Sequence, residues 1–147
     1  MDKKSKIAIL GLGIEGKAML EYLIKHNFLN ITVCDQNINV AATLPAGVSS
    51  QLWQDVYLDD LDKFEVIFRA PGVKFLTPQI QLALMKGVKI TSCIKYFMEQ
   101  CPCPIVGISG TKGKGTTATL IHKILQEGGY TSHIGGNIGE PPVTFLD

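Results

Sequence analysis

Residues 6–16 read Lys6-Ile-Ala-Ile-Leu10-Gly11-Leu12-Gly13-Ile14-Glu15-Gly16, a compact apolar run broken by glycines in the order G-x-G-x-x-G. Such a run predicts a buried strand followed by a tight turn. Beyond the turn, Ala18, Leu20, Leu23 and Ile24 recur at helical spacing, so the segment reads as strand, glycine turn, helix. Outward from it, Ile31-Thr-Val-Cys34 is predicted to be a second strand ending at Asp35. The polar stretch from Gln36 to Gly47 reads as a loop. One βαβ unit is thereby complete, the building block of a parallel sheet.

Further along, Val66-Ile-Phe-Arg69 predicts another strand, ending in the turn Ala70-Pro71-Gly72. Thr77-Pro78 supplies an N-cap and an N1 proline for a helix to about Lys86, which Gly87 closes. Lys89-Ile-Thr91 is a short strand, Ser92 caps a helix through Gln100, and Cys101-Pro-Cys-Pro104 stops it. A boundary falls there, with residues 1–100 as one domain, 101–104 as linker and 105–147 as the start of another. In that second part Ile105-Val-Gly-Ile-Ser109 predicts a buried strand, a second glycine turn follows, and a helix carries Leu120, Ile121, Ile124 and Leu125 on one side. A last strand is expected near Thr131 to Ile134. The fold class is α/β: a Rossmann-like, doubly wound parallel sheet followed by a strand, phosphate loop, helix and strand.

The 147 residues are 46% hydrophobic and 18% charged with a net charge of +1. The near-neutral balance lacks the basic field on which non-specific nucleic-acid binding depends. No apolar run reaches the roughly 20 residues of a bilayer span. A cytoplasmic address without a membrane or nucleic-acid partner is the expectation. Cys34, Cys93, Cys101 and Cys103 match no usual zinc spacing and read as reduced, structural cysteines.

The G-x-G-x-x-G turn lies between strand and helix, where backbone amides and a helix N-terminus receive a diphosphate. Asp35, at the end of the next strand, is placed to accept hydrogen bonds from a ribose or a base N–H. A nicotinamide or flavin dinucleotide and a uridine diphosphate ligand both fit this pattern. Ala70-Pro71-Gly72 adds a second turn on the same sheet edge, where Gly72 can bring amides against a phosphate.

The second glycine turn is Gly107-Ile-Ser-Gly110-Thr111-Lys112-Gly113-Lys114-Gly115-Thr116. Gly113-Lys114 forms the core of an ATP phosphate loop, with Lys114 as its catalytic cation. It departs from the strict pattern at Ile108, the glycine coming one position earlier, and at Gly115, where a hydroxyl normally ligates Mg²⁺. Either Thr116 or Thr117 substitutes, Thr116 being the preferred candidate, or the metal is held otherwise. His26, His122 and His133 lack partner motifs, and Trp53, Tyr57, Tyr96 and Phe97 read as packing residues.

The order of these motifs, closed by Gly135-Gly-Asn137-Ile-Gly139, resembles the Mur ligases of peptidoglycan synthesis along the whole chain. The resemblance implies a first domain that binds UDP-N-acetylmuramoyl-L-alanine. Ile14, Glu15, Asp35, Gln36 and Asn37 would lie near the uracil, Pro71 and Gly72 near the diphosphate, and Asn137 near the sugar or its phosphates, with Gly13 also in the substrate site. Gly110, Thr111, Lys112, Gly113, Lys114, Gly115 and Thr116 would bind ATP, with Thr116 on Mg²⁺. ATP would phosphorylate the substrate carboxylate, and D-glutamate would attack the acyl phosphate. Lys112, Gly115 and Glu15 depart from the residues usual in the family. The family chain is about three times longer, so its later metal ligands and amino-acid-binding domain are missing, and the fragment alone is expected to be inactive.

Rival readings are a nicotinamide-binding oxidoreductase or sensor, which leaves the second glycine turn unexplained, and a non-catalytic remnant that keeps only UDP-substrate binding. A folate-type glutamate ligase would share the second loop but not the preceding domain.

Overall fold

The computed structural model describes residues 1–54 and 56–146. Its strands are β1 (Lys6–Leu10), β2 (Asn30–Asp35), β3 (Ser49–Leu52), β4 (Val66–Arg69) and β5 (Lys89–Thr91). Its helices are α1 (Ile14–Lys25), α2 (Pro78–Met85), α3 (Cys93–Gln100) and α4 (Lys114–Glu127). Short 3-10 turns cover Ile38–Thr43, Leu61–Lys63 and Pro142–Leu146. The five strands form one parallel sheet in the order β3-β2-β1-β4-β5, with Ile7 opposite Ile31 on one side and Val66 on the other.

The burial pattern explains why the apolar run at residues 7–10 is continuous rather than alternating. Successive side chains of a strand point to opposite faces, and both faces of this sheet are covered. Ile7, Ile9, Val33 and Phe68 pack with Met19 and Leu23 of α1 and Cys93 of α3. Ala8, Leu10, Cys34 and Ile67 pack on the other face with Leu61, Phe64 and the α2 residues Ile80 and Ala83. Each fully buried large aliphatic or aromatic side chain contributes about 1.5–3 kcal/mol relative to exposure, so β1 and β4 anchor the domain. No helix among the described residues is long and apolar enough to cross a membrane.

Caps and turns follow the local chemistry in part. Ser92 Oγ accepts the Lys95 amide at the start of α3, and Pro78 begins α2. Thr77 does not cap α2 with its side chain; its hydroxyl instead donates to the Lys74 carbonyl. Gly87, at φ +88°, ends the α2 segment in the left-handed region that glycine adopts at low cost.

Four elements differ from the sequence expectations. Ser49–Leu52 forms strand β3 although nothing in its pattern is apolar and alternating. It pairs only with β2 at the sheet edge, where backbone pairing suffices and polar residues are normal. The loop from Gln36 to Gly47 contains a 3-10 turn, which Asn37 caps by accepting the Asn39 amide at 3.0 Å.

The expected strands at 105–109 and 131–134 do not form. Ile105 and Val106 are 44% and 64% exposed, and the second stretch contributes only an isolated bridge between Gly135 and Glu140. A strand requires a neighbour to take its amide and carbonyl groups, and the five-stranded sheet offers these segments no pairing. The helix between them does form, but α4 buries none of its residues. The chain then returns: Val143, in the turn Pro142–Leu146, joins the cluster beneath α1 and α3, while Phe145 stacks edge-on with Phe97. Asp147, the last residue of the expected second segment, lies outside the described residues.

All four cysteines are free thiols, with Cys34 and Cys93 buried and Cys103 exposed. Burial pushes the Cys34 and Cys93 thiols up to about 12, with Asp35 and Glu15 respectively adding to the shift. A thiol-reactive chromogen at pH 8 should therefore label Cys103 rapidly in the native chain. Cys34 and Cys93 should react only on unfolding; native labelling of either would mean that the sheet packing is wrong.

Candidate functional site

In a sheet of this order the chain runs outward through β1, β2 and β3 and then returns to place β4 on the other side of β1. The connections after β1 and β4 leave in opposite directions, which opens a crevice at the carboxyl ends of these strands. A cavity of about 410 Å³ occupies this position. Its walls are the glycine turn after β1, Asp35 and Gln36 after β2, Tyr57 after β3, and Ala70 to Val73 after β4.

The glycine turn is shaped by two close approaches. A Cβ on Gly16 would lie 2.1 Å from the Gly11 carbonyl oxygen, so α1 seats on the end of β1 only because that atom is missing. Gly11 has φ +90°, and a Cβ there would meet the Ala70 Cβ at 3.0 Å. Gly13 has no neighbour within 4 Å of its Cβ position, so it leaves open space at the mouth of the turn. Gly13 is also the N-cap of α1 and supplies no side chain to cap it. The first amides of α1 therefore present uncapped donors at the positive end of the helix dipole.

Asp35 is engaged within the protein. Its Oδ2 accepts the Leu12 amide at 2.7 Å and its Oδ1 accepts the Asn37 amide at 2.8 Å, so it ties the β1 turn to the end of β2. It still lines the cavity, but with its first lone pairs committed. Arg69 acts similarly on the opposite wall: its Nη1 donates to the Ala70 carbonyl at 3.1 Å and to the Val73 carbonyl, folding the Ala70–Val73 turn. No lysine or arginine is among the lining residues. An anion here would be held by backbone amides rather than by side-chain charge.

Glu15 lies in the first turn of α1 and lines the cavity, and its Oε2 is buried with no hydrogen-bond partner. Of the uracil-side candidates, Gly13, Ile14, Glu15, Asp35 and Gln36 are brought together, and Pro71 and Gly72 face them from the β4 turn. Asn37 is not in the cavity wall, because its side chain caps the following 3-10 turn. Asn137 is exposed in the Gly135–Gly139 turn and is not in this wall either. Two contributors were not legible in the sequence: Tyr57, assigned to packing, lines the cavity, and Arg69 folds its opposite wall. Tyr57 carries no motif, and its position follows from the unpredicted strand β3.

The second glycine turn has a different setting. Gly110 and Gly113 have φ +151° and +77°, and the Lys114 Nζ donates back across the loop to the Gly110 carbonyl at 2.6 Å. Thr111, Lys112 and Thr116 are exposed, and Lys114 and Gly115 are half-buried. A Cβ on Gly115 would meet the Ile138 side chain at 3.7 Å, ordinary contact. Among the described residues no three His, Cys, Asp or Glu side chains converge as a metal site. His122 is not isolated: its Nδ1 lies 2.8 Å from the Ser132 hydroxyl, a local tie between α4 and the following segment.

Comparison with known proteins places this geometry in context. Residues 5–92 match the family model described as Mur ligase MurD-like, N-terminal domain. The UDP-N-acetylmuramoylalanine--D-glutamate ligase of Acetivibrio thermocellus is 36% identical over 99% of this chain and 32% of its own length. The enzymes of the same name from Clostridium novyi and Clostridium kluyveri are 35% and 36% identical, each over 95% of this chain and 31% of theirs. The chain thus spans about a third of the length of these relatives. A solved shikimate 5-dehydrogenase-like protein aligns at 18% identity over 67% of this chain and 47% of its own, with a TM-score of 0.47, too loose a superposition to bear on ligand or reaction.

The two cavity glycines make opposite predictions. Gly16→Ala should destabilise the chain by about 1–3 kcal/mol or more, since the clash is with backbone that cannot rotate away. Gly13→Ala should leave the urea midpoint nearly unchanged. Equal midpoints for the two variants would contradict the seating of α1 on β1.

Proposed function

The chain belongs to the Mur ligases and carries their MurD-like N-terminal domain at residues 5–92, and from that premise we propose that it is the front part of an ATP-dependent ligase joining D-glutamate to UDP-N-acetylmuramoyl-L-alanine. The observation that carries this reading is the cavity at the carboxyl edge of β1 and β4, walled by two backbone-rich turns and the uncapped start of α1. Such a site suits a diphosphate flanked by uncharged groups. Family membership also favours this reading over a nicotinamide-binding oxidoreductase.

In this reading residues 1–100 are the UDP-substrate domain, 101–104 a linker, and 105–147 the opening of an ATPase domain. Gly13, Ile14, Glu15, Asp35 and Gln36 would surround the nucleoside, and Pro71 and Gly72 the diphosphate. Asn37 would support the loop beside the nucleoside, and Asn137 would approach the sugar or its phosphates. Gly110 to Thr116 would bind ATP, with Lys114 exchanging the Gly110 carbonyl for a phosphate oxygen. A cytoplasmic location fits these soluble substrates.

The chemistry accounts for the two kinds of site. A carboxylate has no adequate leaving group, so one of its oxygens first takes the γ-phosphoryl group of ATP as ADP leaves. The amine of D-glutamate adds to the carbonyl carbon of this acyl phosphate, loses its proton, and expels phosphate with the C–O bonding pair. No protein nucleophile is required; the protein positions the reactants and offsets charge, and Lys114 would supply that charge on this chain.

Mg²⁺ fits the loop less fully than the phosphates do, because Gly115 brings no hydroxyl and Thr116 is the nearest one in the first turn of α4. Thr116 would be its ligand here, and the ion would offset negative charge on the phosphate oxygens.

Calorimetric titration with UDP-N-acetylmuramoyl-L-alanine, NADH and ADP–Mg²⁺ in separate runs tests the assignment. Saturable binding of the UDP ligand without NADH binding is expected; NADH binding alone would overturn the reading. Gly115→Ser should fold normally, since its Cβ meets Ile138 at ordinary distance. It should tighten ADP binding several-fold only when Mg²⁺ is present, and an equal gain in EDTA would count against a metal-ligand role at that position.

A further inference from the structure

Resting on the nucleotide-substrate reading above, we propose that Tyr57 is the stacking platform for the ligand's base, and thus an affinity-determining residue of the cavity.

The sheet order gives the crevice a chemical polarity. The turns rich in backbone amides follow β1 and β4, whereas Asp35 and Gln36 follow β2 and Tyr57 follows β3, at the far side of β2 from the amides. A nucleoside diphosphate has the same polarity, anionic at one end and flat and uncharged at the other. The diphosphate matches the β4 turn and the amides that face it, which puts the nucleoside along the start of α1 and its base toward β2 and β3. Tyr57 is the one aromatic side chain among the residues lining the cavity.

The edge-reading groups at that end are already partly used. Both oxygens of Asp35 accept backbone amides, from Leu12 and Asn37. Contact with the face of the base adds to whatever the remaining acceptor sites of Asp35 and the Gln36 side chain read at its edge. Aromatic stacking supplies it without requiring a particular hydrogen-bond pattern.

Residues on either side of Tyr57 are tied by hydrogen bonds although they bury little. Trp53 donates its amide to the Asp35 carbonyl at 3.2 Å, and Tyr57 donates to the Trp53 carbonyl at 3.0 Å. The Gln51 Nε2 donates to the carbonyls of Val56 at 2.8 Å and Asp59 at 2.7 Å, while its Oε1 accepts Lys63 Nζ at 2.8 Å. Trp53 itself has φ 102°, a strained conformation for a residue with a Cβ, yet it is 62% exposed. Packing does not explain a strained, hydrogen-bonded loop of this kind. Positioning Tyr57 over the cavity does.

The test is calorimetry on the 147-residue chain with two probes, UDP and base-free ribose 5-diphosphate. Tyr57→Phe should bind UDP within about twofold of the unsubstituted chain, whereas Tyr57→Leu and Tyr57→Ala should lose about tenfold or more. All four proteins should bind ribose 5-diphosphate alike. UDP affinity unchanged in Tyr57→Ala, or equal losses for both probes, would overturn the stacking role while leaving the nucleotide reading in place. Failure of the unsubstituted chain to bind UDP would instead overturn that reading and this inference together.

Discussion

The seating of α1 on the end of β1, with Gly16 against the Gly11 carbonyl, is the contact on which the rest of the domain's organisation depends. It lets a helix begin directly over a strand's carboxyl end, so the first helical amides face a crevice instead of the core. Gly11 can then turn at φ +90° beside Ala70, which draws the β4 turn close. Asp35 completes the arrangement by holding Leu12 and Asn37 from below. A side chain at either glycine would meet atoms that have no room to move.

Behind this edge, the two-sided burial of a parallel sheet fixes where the crevice can form. Alternate residues of β1, β2 and β4 feed two cores, one under α1 and α3 and the other under α2. The chain must cross from one side of β1 to the other to reach β4, and the cavity lies at this crossing. Its lining contains Glu15 and Asp35 but no basic side chain, while Arg69 is spent on folding the opposite turn. An anion in this cavity would thus be met by backbone geometry more than by net charge.

The two glycine turns, similar as sequence, differ in what stands behind them. The first rests on a buried strand and a helix with five buried residues, Gly16, Ala18, Met19, Leu20 and Leu23. The second leads into α4, which buries none, with Leu120 and Ile124 at 55% and 68% exposure. A helix of this length without tertiary packing is near the limit of stability in water. The flanking segments form no strand for a related reason: the five-stranded sheet offers them no pairing.

What the sequence determined by itself was local and periodic. The run at 7–10, the glycines at 11, 13 and 16, the cap at Ser92 and the spacing within α1 each specify a conformation through the residue's own backbone preference or one-face burial. Of these, the glycines at 11, 13 and 16 also carried, together with Ala70-Pro-Gly-Val73 and the later glycine motifs, the family resemblance that the match over residues 5–92 upholds. Tertiary structure alone decided the remainder. Ser49–Leu52 became a strand because β2 offered an open edge, Asn37 turned away to cap its own loop, and Tyr57 came to the cavity on the connection that β3 begins. Val143 reached the first core from far along the chain. Pairing partners and long-range contacts depend on which surfaces the folded sheet leaves available, and no local pattern encodes that.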